Sequence, residues 1–200
     1  MSKGERTRAA ILDQALAMTS TDGLTGLTIG TLADRLGMSK SGLFAHFGSK
    51  EQLQAAVLER AAELFADTVV RPALAQPRGL PRVLALFENW IAWTMDPVLP
   101  GGCPIQAASI EFDDRPGPIQ DLIVKQQEDM RRVVIGATRR ALEEGHLRGD
   151  LDVEQFAFEG ISLCYGFTQS YRLLKNPKAE VWARTAVHGL IDRARARVRG

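Results

Sequence analysis

The sequence predicts an all-α fold of about nine helices, on three observations. Apolar residues recur at helical spacing along the chain, and beyond Pro77 no convincing alternating strand pattern occurs. Breaks at Asp22-Gly23, Gly37, Pro72 with the PRGLP segment, Asp96-Pro97, DDRPGP, 145–150 and Asn176-Pro177 part those stripes. Within Thr28–Lys50, TIGTLADRLGMSKSGLFAHFGSK, two short helices are joined by a tight turn, the lengths of a helix-turn-helix.

The chain has 200 residues, 45% hydrophobic and 24% charged, the composition of an ordinary globular protein of one or two domains. Its formal net charge is +1, and through Lys50 six Lys and Arg stand against four acids. That mild excess excludes a whole-surface electrostatic grip on nucleic acid and leaves any such binding to specific contacts. Cys103 and Cys164 form no CxxC or Cys/His pattern. The N-terminus MSKGERTRAA has no apolar core, and no apolar run approaches the roughly 18 residues of a membrane span. These features predict a cytoplasmic chain with reduced thiols and no membrane contact.

The first helix is expected over Thr7–Thr21 on the stripe Ile11, Ala15 and Met18, widened by Leu12 and Leu16, and Asp22-Gly23 ends it. Residues before it are polar and expected to fray. The second follows from Ile29, Leu32, Ala33 and Leu36, with Thr28 as N-cap and Gly37 turning the chain. Ser39 caps the third, Met38 and Leu43 have the spacing of a hydrophobic staple, and Leu43 with Phe47 anchors that helix to the second. Ser39, Lys40, Ser41 and Gly42 remain at its exposed start. Short donors, one cation and a glycine make a surface thin enough for the major groove of DNA.

Thr28-Ile29, Ala33 within LADRLGMS, and the run Ser41-Gly42-Leu43-Phe44-Ala45-His46-Phe47 followed by Ser49-Lys50-Glu51-Gln52-Leu53 resemble the DNA-binding domain of the TetR family of transcriptional regulators. The resemblance covers the first quarter of the chain. It implies a three-helix DNA-binding domain over 1–50 and a helical ligand-binding and dimerisation domain over 51–200. It further implies that Thr28, Ser39, Lys40, Ser41 and Gly42 meet operator DNA, with Lys40 toward the bases and Phe44, His46 and Lys50 along the phosphates. Phe44 stands where the family usually has tyrosine, so one phosphate-directed hydroxyl is missing and weaker positioning is expected.

Ser49 opens a fourth helix with Gln52 completing a capping box, and its stripe Leu53, Val57, Ala61, Leu64 and Phe65 runs to about Val70, before Pro72. With Lys50 at one end and the C-terminal domain at the other, this helix is the expected lever between them. Leu80, Leu84, Phe87, Ile91 and Met95 mark a fifth helix, and Cys103-Pro104 opens a short sixth ending near Phe112. A long seventh runs from about Pro118 to Glu144. The eighth, about Asp152 to Leu174, is apolar on most sides, with Gly160, Ser162, Gly166 and Ser170 leaving room for a close neighbour. Val181, Trp182, Ala186, Val187, Leu190 and Ile191 define a ninth. We expect helices eight and nine to pack on their twofold copies, as in the resembled family, giving a homodimer for a palindromic site. The arginines of RARARVRG spread around a helix and predict a solvated end.

Regulators of the resembled type hold a small-molecule cavity between the middle helices. Phe65, Phe87, Trp90, Trp93, Met95, Cys103, Ile105 and Met130 are the residues expected to line it, a set suited to an apolar or aromatic effector. Taken singly each reads more readily as core; as a group they predict a pocket. No cofactor or metal is expected. Glu111, Asp113 and Asp114 read as a solvated acidic loop, and His46, His146 and His188 lack ligand-like neighbours, His146 sitting at a helix end where a cation is favoured. No catalytic constellation is visible. The expected function is that of a ligand-released repressor. A protein-binding helical scaffold, or a thiol-sensing regulator acting through Cys103, is the alternative.

Overall fold

The computed structural model describes residues 3–196 and forms nine helices, with no strand among the described residues beyond a single antiparallel bridge between Leu147 and Arg195. The helices are α1 (Lys3–Gly26), α2 (Ile29–Leu36), α3 (Lys40–Phe47), α4 (Lys50–Phe65), α5 (Leu80–Thr94), α6 (Pro104–Glu111), α7 (Pro118–Glu143), α8 (Val153–Thr168) and α9 (Ala179–Ala194). Of the expected arginine-rich end, Arg197 onward lies outside the described residues, as do Met1 and Ser2 at the polar start.

Two compact units make up the chain. One comprises Met1–Leu64 with Asp96–Gln126, the other Phe65–Met95 with Gln127–Gly200. Both α4 and α7 therefore begin in the first unit and end in the second.

In the first unit, α1 buries Ile11, Leu12, Ala15 and Leu16, α2 buries Leu32 and Ala33, α3 buries Leu43 and Phe47, and α4 buries Leu53, Val57 and Leu58. Each of these side chains other than the two alanines contributes on the order of 2 kcal/mol through removal of apolar surface from water. Helix α1 outruns its expected end because it bends at Gly23, whose φ of 76° lets the chain kink and resume for Leu24 and Leu27 to enter the core. Helix α6 packs on α1. The loop before it approaches so closely that a Cβ on Gly101 would overlap the Ser20 backbone, and the Gly101 amide donates to Ser20 Oγ at 3.0 Å.

In the second unit α5, α8 and α9 pack on one another. Phe87 and Phe156 meet with ring centroids 6.3 Å apart, and Gly160 lies under Phe87 so closely that a Cβ there would overlap the ring. The close neighbour of that glycine is thus a side chain of the same protomer. Glu88 pairs with Arg184 and lies 3.2 Å from His188 Nε2.

Pro72 does not stop the fourth helix. After Phe65 the chain makes a π-helical turn over Ala66–Val70 and continues as Arg71–Leu74. In the wider turn the Arg71 amide bonds to the Ala66 carbonyl, so the register shifts one residue before the proline, at which a backbone donor is missing. A second π-helical turn, Gln169–Leu173, extends α8. His146 also departs from expectation. Its Nδ1 accepts the Leu80 amide at 3.1 Å, which caps the start of α5, 66 residues away in the chain.

Candidate functional site

The helix-turn-helix is held by caps that the sequence encodes locally. Thr28 Oγ1 accepts the Thr31 amide at 3.0 Å while Thr31 Oγ1 accepts the Thr28 amide at 3.0 Å, a reciprocal box that fixes the start of α2. Gly37, at φ 62°, ends that helix in the left-handed region, and Ser39 Oγ accepts the Gly42 amide at 3.1 Å to start α3. Leu43 and Phe47 turn inward. Ser39, Lys40, Ser41 and Phe44 are left exposed, while Gly42 and His46 are half-buried. Lys40 reaches back over Gly30, where a Cβ would lie 3.6 Å from Lys40 Cε.

Thr28 is spent on capping: its hydroxyl lies toward Thr31 at 3.1 Å. Lys50 Nζ donates to the Thr25 carbonyl at 2.9 Å, satisfying the last turn of α1, and an ammonium with three N–H groups retains two further donors. Ser49 Oγ accepts the Gln52 amide at 3.1 Å, whereas the Ser49 amide itself donates to the Phe47 carbonyl. Arg8 places its guanidinium 5.2 Å from the centre of the Phe47 ring. Residues Arg8, His46, Phe47, Gly48, Gln52 and Glu59 border an open depression of about 540 Å³.

The backbone below this surface is tied to α6 by contacts that sequence reading missed. Glu111 accepts the Leu24 and Thr25 amides, each at 2.8 Å, and the Thr25 hydroxyl. Gln54, buried, donates to the Leu24 carbonyl at 2.7 Å. Glu111 read as part of a solvated acidic loop because its partners lie 86 and 87 residues away, and no local pattern marks them.

Of the residues expected to line an effector cavity, Cys103 and Ile105 belong to the first unit, and Phe65, Phe87, Trp90, Trp93, Met95 and Met130 to the second. Four rings of the second unit form a chain. Phe65 meets Trp93 edge-on at 5.5 Å and Trp90 at 5.3 Å, and Trp90 meets Tyr165 at 6.0 Å. Phe87 instead packs on Phe156. Tyr165, which donates its hydroxyl to Gln127, was not among the expected lining residues. Neither Cys103 nor Cys164 forms a disulfide among the described residues. Burial pushes Cys164 up to about 12, leaving it protonated and unreactive at neutral pH.

An all-α chain with a capped helix-turn-helix whose second helix faces outward defines a DNA-binding regulator of the helix-turn-helix class. Residues 79–187 match the family described as Tetracyclin repressor-like, C-terminal domain, and residues 11–57 match Bacterial regulatory proteins, tetR family. The chain belongs to the TetR family and is a DNA-binding transcriptional regulator, not an enzyme. Among solved structures it is similar to a TetR transcriptional regulator from Chloroflexus aurantiacus, 25% identical over 98% of this chain and 100% of that one, with a TM-score of 0.89. It shares its fold with a regulator from Saccharomonospora viridis solved with choline, 20% identical over 96% and 100% of the two chains, TM-score 0.83. A further match is AibR solved with isovaleryl coenzyme A and operator DNA, 20% identical over 94% and 97%, TM-score 0.71. A search among curated proteins returned no match. No helix among the described residues is long and apolar enough to cross a membrane.

Proposed function

We propose that the chain acts as a homodimeric repressor that grips a palindromic operator and is released from it by a small apolar or aromatic effector. The observation that carries the pairing is an outward apolar face on the last two helices. Phe158 in α8, Leu173 in its extension, and Val181 and Trp182 in α9 are 66%, 68%, 64% and 55% exposed. Phe158, Ser162, Gly166, Gln169 and Leu173 follow one another at helical spacing, and a Cβ on Gly166 would meet nothing within 4 Å. Isolated apolar residues on a surface need no partner, but four large exposed ones carried by two packed helices favour one. A twofold copy supplies the matching face and presents two α3 helices to one duplex.

On this reading residues 1–50 form the DNA-binding domain and 51–200 the ligand-binding and dimerisation domain. Lys40 and Ser41 reach base edges or nearby phosphates; Phe44 packs on sugar carbons; His46 and Lys50 lie along the backbone, with Thr28, Ser39 and Gly42 holding the frame. The aromatic cluster around Phe65, Trp90 and Trp93 belongs to the effector site. Helix α4 carries the coupling, since it is continuous from Lys50 to Phe65. The same fold serves proteins solved with choline and with isovaleryl coenzyme A and operator DNA, which supports an effector-responsive DNA binder here. By linkage, effector and operator weaken each other by one common factor.

Sedimentation of the wild type and of Trp182→Asp tests the pairing. A dimeric wild type and a monomeric, folded variant with weakened operator binding agree with it; a monomeric wild type that binds operator fully contradicts it.

A further inference from the structure

We infer that the effector is a neutral, largely apolar molecule bearing a hydrogen-bond acceptor such as a carbonyl oxygen, and that Trp93 Nε1 is the group that recognises that acceptor. The inference rests on the reading that the aromatic cluster of the second unit binds an effector, and it names that effector's chemistry. Trp93 is 1% exposed, and its Nε1 is buried with no hydrogen-bond partner among the described residues. Buried donors in natural folds are overwhelmingly paired, so an orphaned N–H amid apolar rings is available to a ligand's acceptor. An indole N–H donates only, which excludes a ligand group that is itself purely a donor.

The surroundings narrow the chemistry further. Phe65 stands edge-on to both Trp93 and Trp90, with interplanar angles of 88° and 79°, and Trp90 continues the chain of rings to Tyr165. None of these four side chains is a cation, so the cluster offers no countercharge for an anionic ligand. The positive end of the indole N–H dipole also opposes a quaternary ammonium at that point. A water molecule is a poor substitute, because a buried water needs two to four polar partners and this N–H supplies one. Thr94, the residue after Trp93, already donates its hydroxyl to the Trp90 carbonyl. Phe65 is also the last residue before the π-helical turn Ala66–Val70, a local widening that occurs frequently at functional sites.

Propiophenone and propylbenzene test the inference, since they differ by a carbonyl in place of a methylene. In a purely apolar site the hydrocarbon binds more tightly, because it gains more from leaving water. With Trp93 donating, propiophenone binds the full-length protein about tenfold tighter than propylbenzene, the worth of one buried hydrogen bond. The chain has three tryptophans, so the indole N–H region of a proton–nitrogen correlation spectrum resolves them, and the Trp93 signal moves downfield with propiophenone alone. Trp93→Phe keeps a ring, removes the donor and brings the two affinities within twofold. Equal or reversed affinities in the wild type, an unmoved Trp93 signal, or binding of neither probe overturns the inference. The wild-type measurements suffice if the variant does not fold. Operator binding by the same preparation without probe is read separately: intact operator binding with no preference for the ketone sinks this inference alone, whereas absent operator binding sinks the reading of a repressor.

Discussion

Glu111 accepts the amide of Leu24 at 2.8 Å, one residue past the left-handed kink at Gly23, and so fixes a turn of backbone 87 residues away in the chain. The same carboxylate holds the Thr25 amide, while Gln54 holds the Leu24 carbonyl and Lys50 the Thr25 carbonyl. One short stretch, Leu24-Thr25, thus joins α1, α4 and α6. Truncating Glu111→Ala leaves two amides without their acceptor and is expected to lower stability by about 1–3 kcal/mol. Glu111→Gln keeps an acceptor oxygen and loses less. Urea unfolding midpoints of the two variants measure the difference.

Gly160 and Phe87 form a second contact of this kind. Gly160→Ala places a methyl group into a fully buried ring and is expected to cost about 1–3 kcal/mol by overpacking. Phe87→Leu in the same chain makes room, so the double variant is more stable than the sum of the two single losses predicts. A double-mutant cycle from thermal or urea unfolding gives the coupling, and simple additivity contradicts the contact.

Much of this architecture is legible in the sequence where the chemistry is local. Thr28, Gly37 and Ser39 act within three residues of themselves, so their caps follow from residue type and spacing alone. The Glu111 contacts do not, because a glutamate after an apolar stretch looks the same whether it meets solvent or a distant amide. His146 is a related case: its place at the end of α7 is legible, but its bond from the Leu80 amide, 66 residues away, is not. Pro72 read as a stop because the π-helical turn that accommodates it carries no marker in Ala66–Val70. For the aromatic cluster, composition names Phe65, Trp90 and Trp93, whereas the unpartnered Nε1 is visible only once the chain is folded.

Lys40 and Lys50 are expected to separate base reading from phosphate contact. Lys50→Ala removes one cation near the backbone, making the plot of log affinity against log salt shallower by roughly 0.9. It also leaves the Thr25 carbonyl without its donor, so a small loss of stability accompanies it. Lys40→Ala, on an exposed position of α3, leaves stability within about 0.5 kcal/mol and lowers discrimination between operator and unrelated DNA. Titrations at several salt concentrations, with unfolding curves on the same samples, distinguish the two.

Cys164 supplies a prediction in pH. Burial raises its thiol from the usual value near 9 to about 12, so the folded state holds the proton more tightly than the unfolded state does. The stability linked to this group is fully present below pH 9 and declines as pH rises toward 12. Iodoacetamide at pH 8 therefore leaves Cys164 unmodified in the folded chain and labels it once the chain is unfolded. Mass spectrometry of the labelled peptides reads the result, and fast labelling of Cys164 in the native protein contradicts its burial.

The central claim, that a dimer of this chain reads a palindromic operator through α3, is tested most directly by incubating the purified protein with fragmented genomic DNA and sequencing what it retains, with Lys40→Ala run in parallel. We predict enrichment of one inverted repeat, with half-sites about one helical turn or a small multiple of it apart, and loss of that enrichment in the variant. Retention of no particular sequence at low salt, or of a sequence without twofold symmetry, would contradict the account.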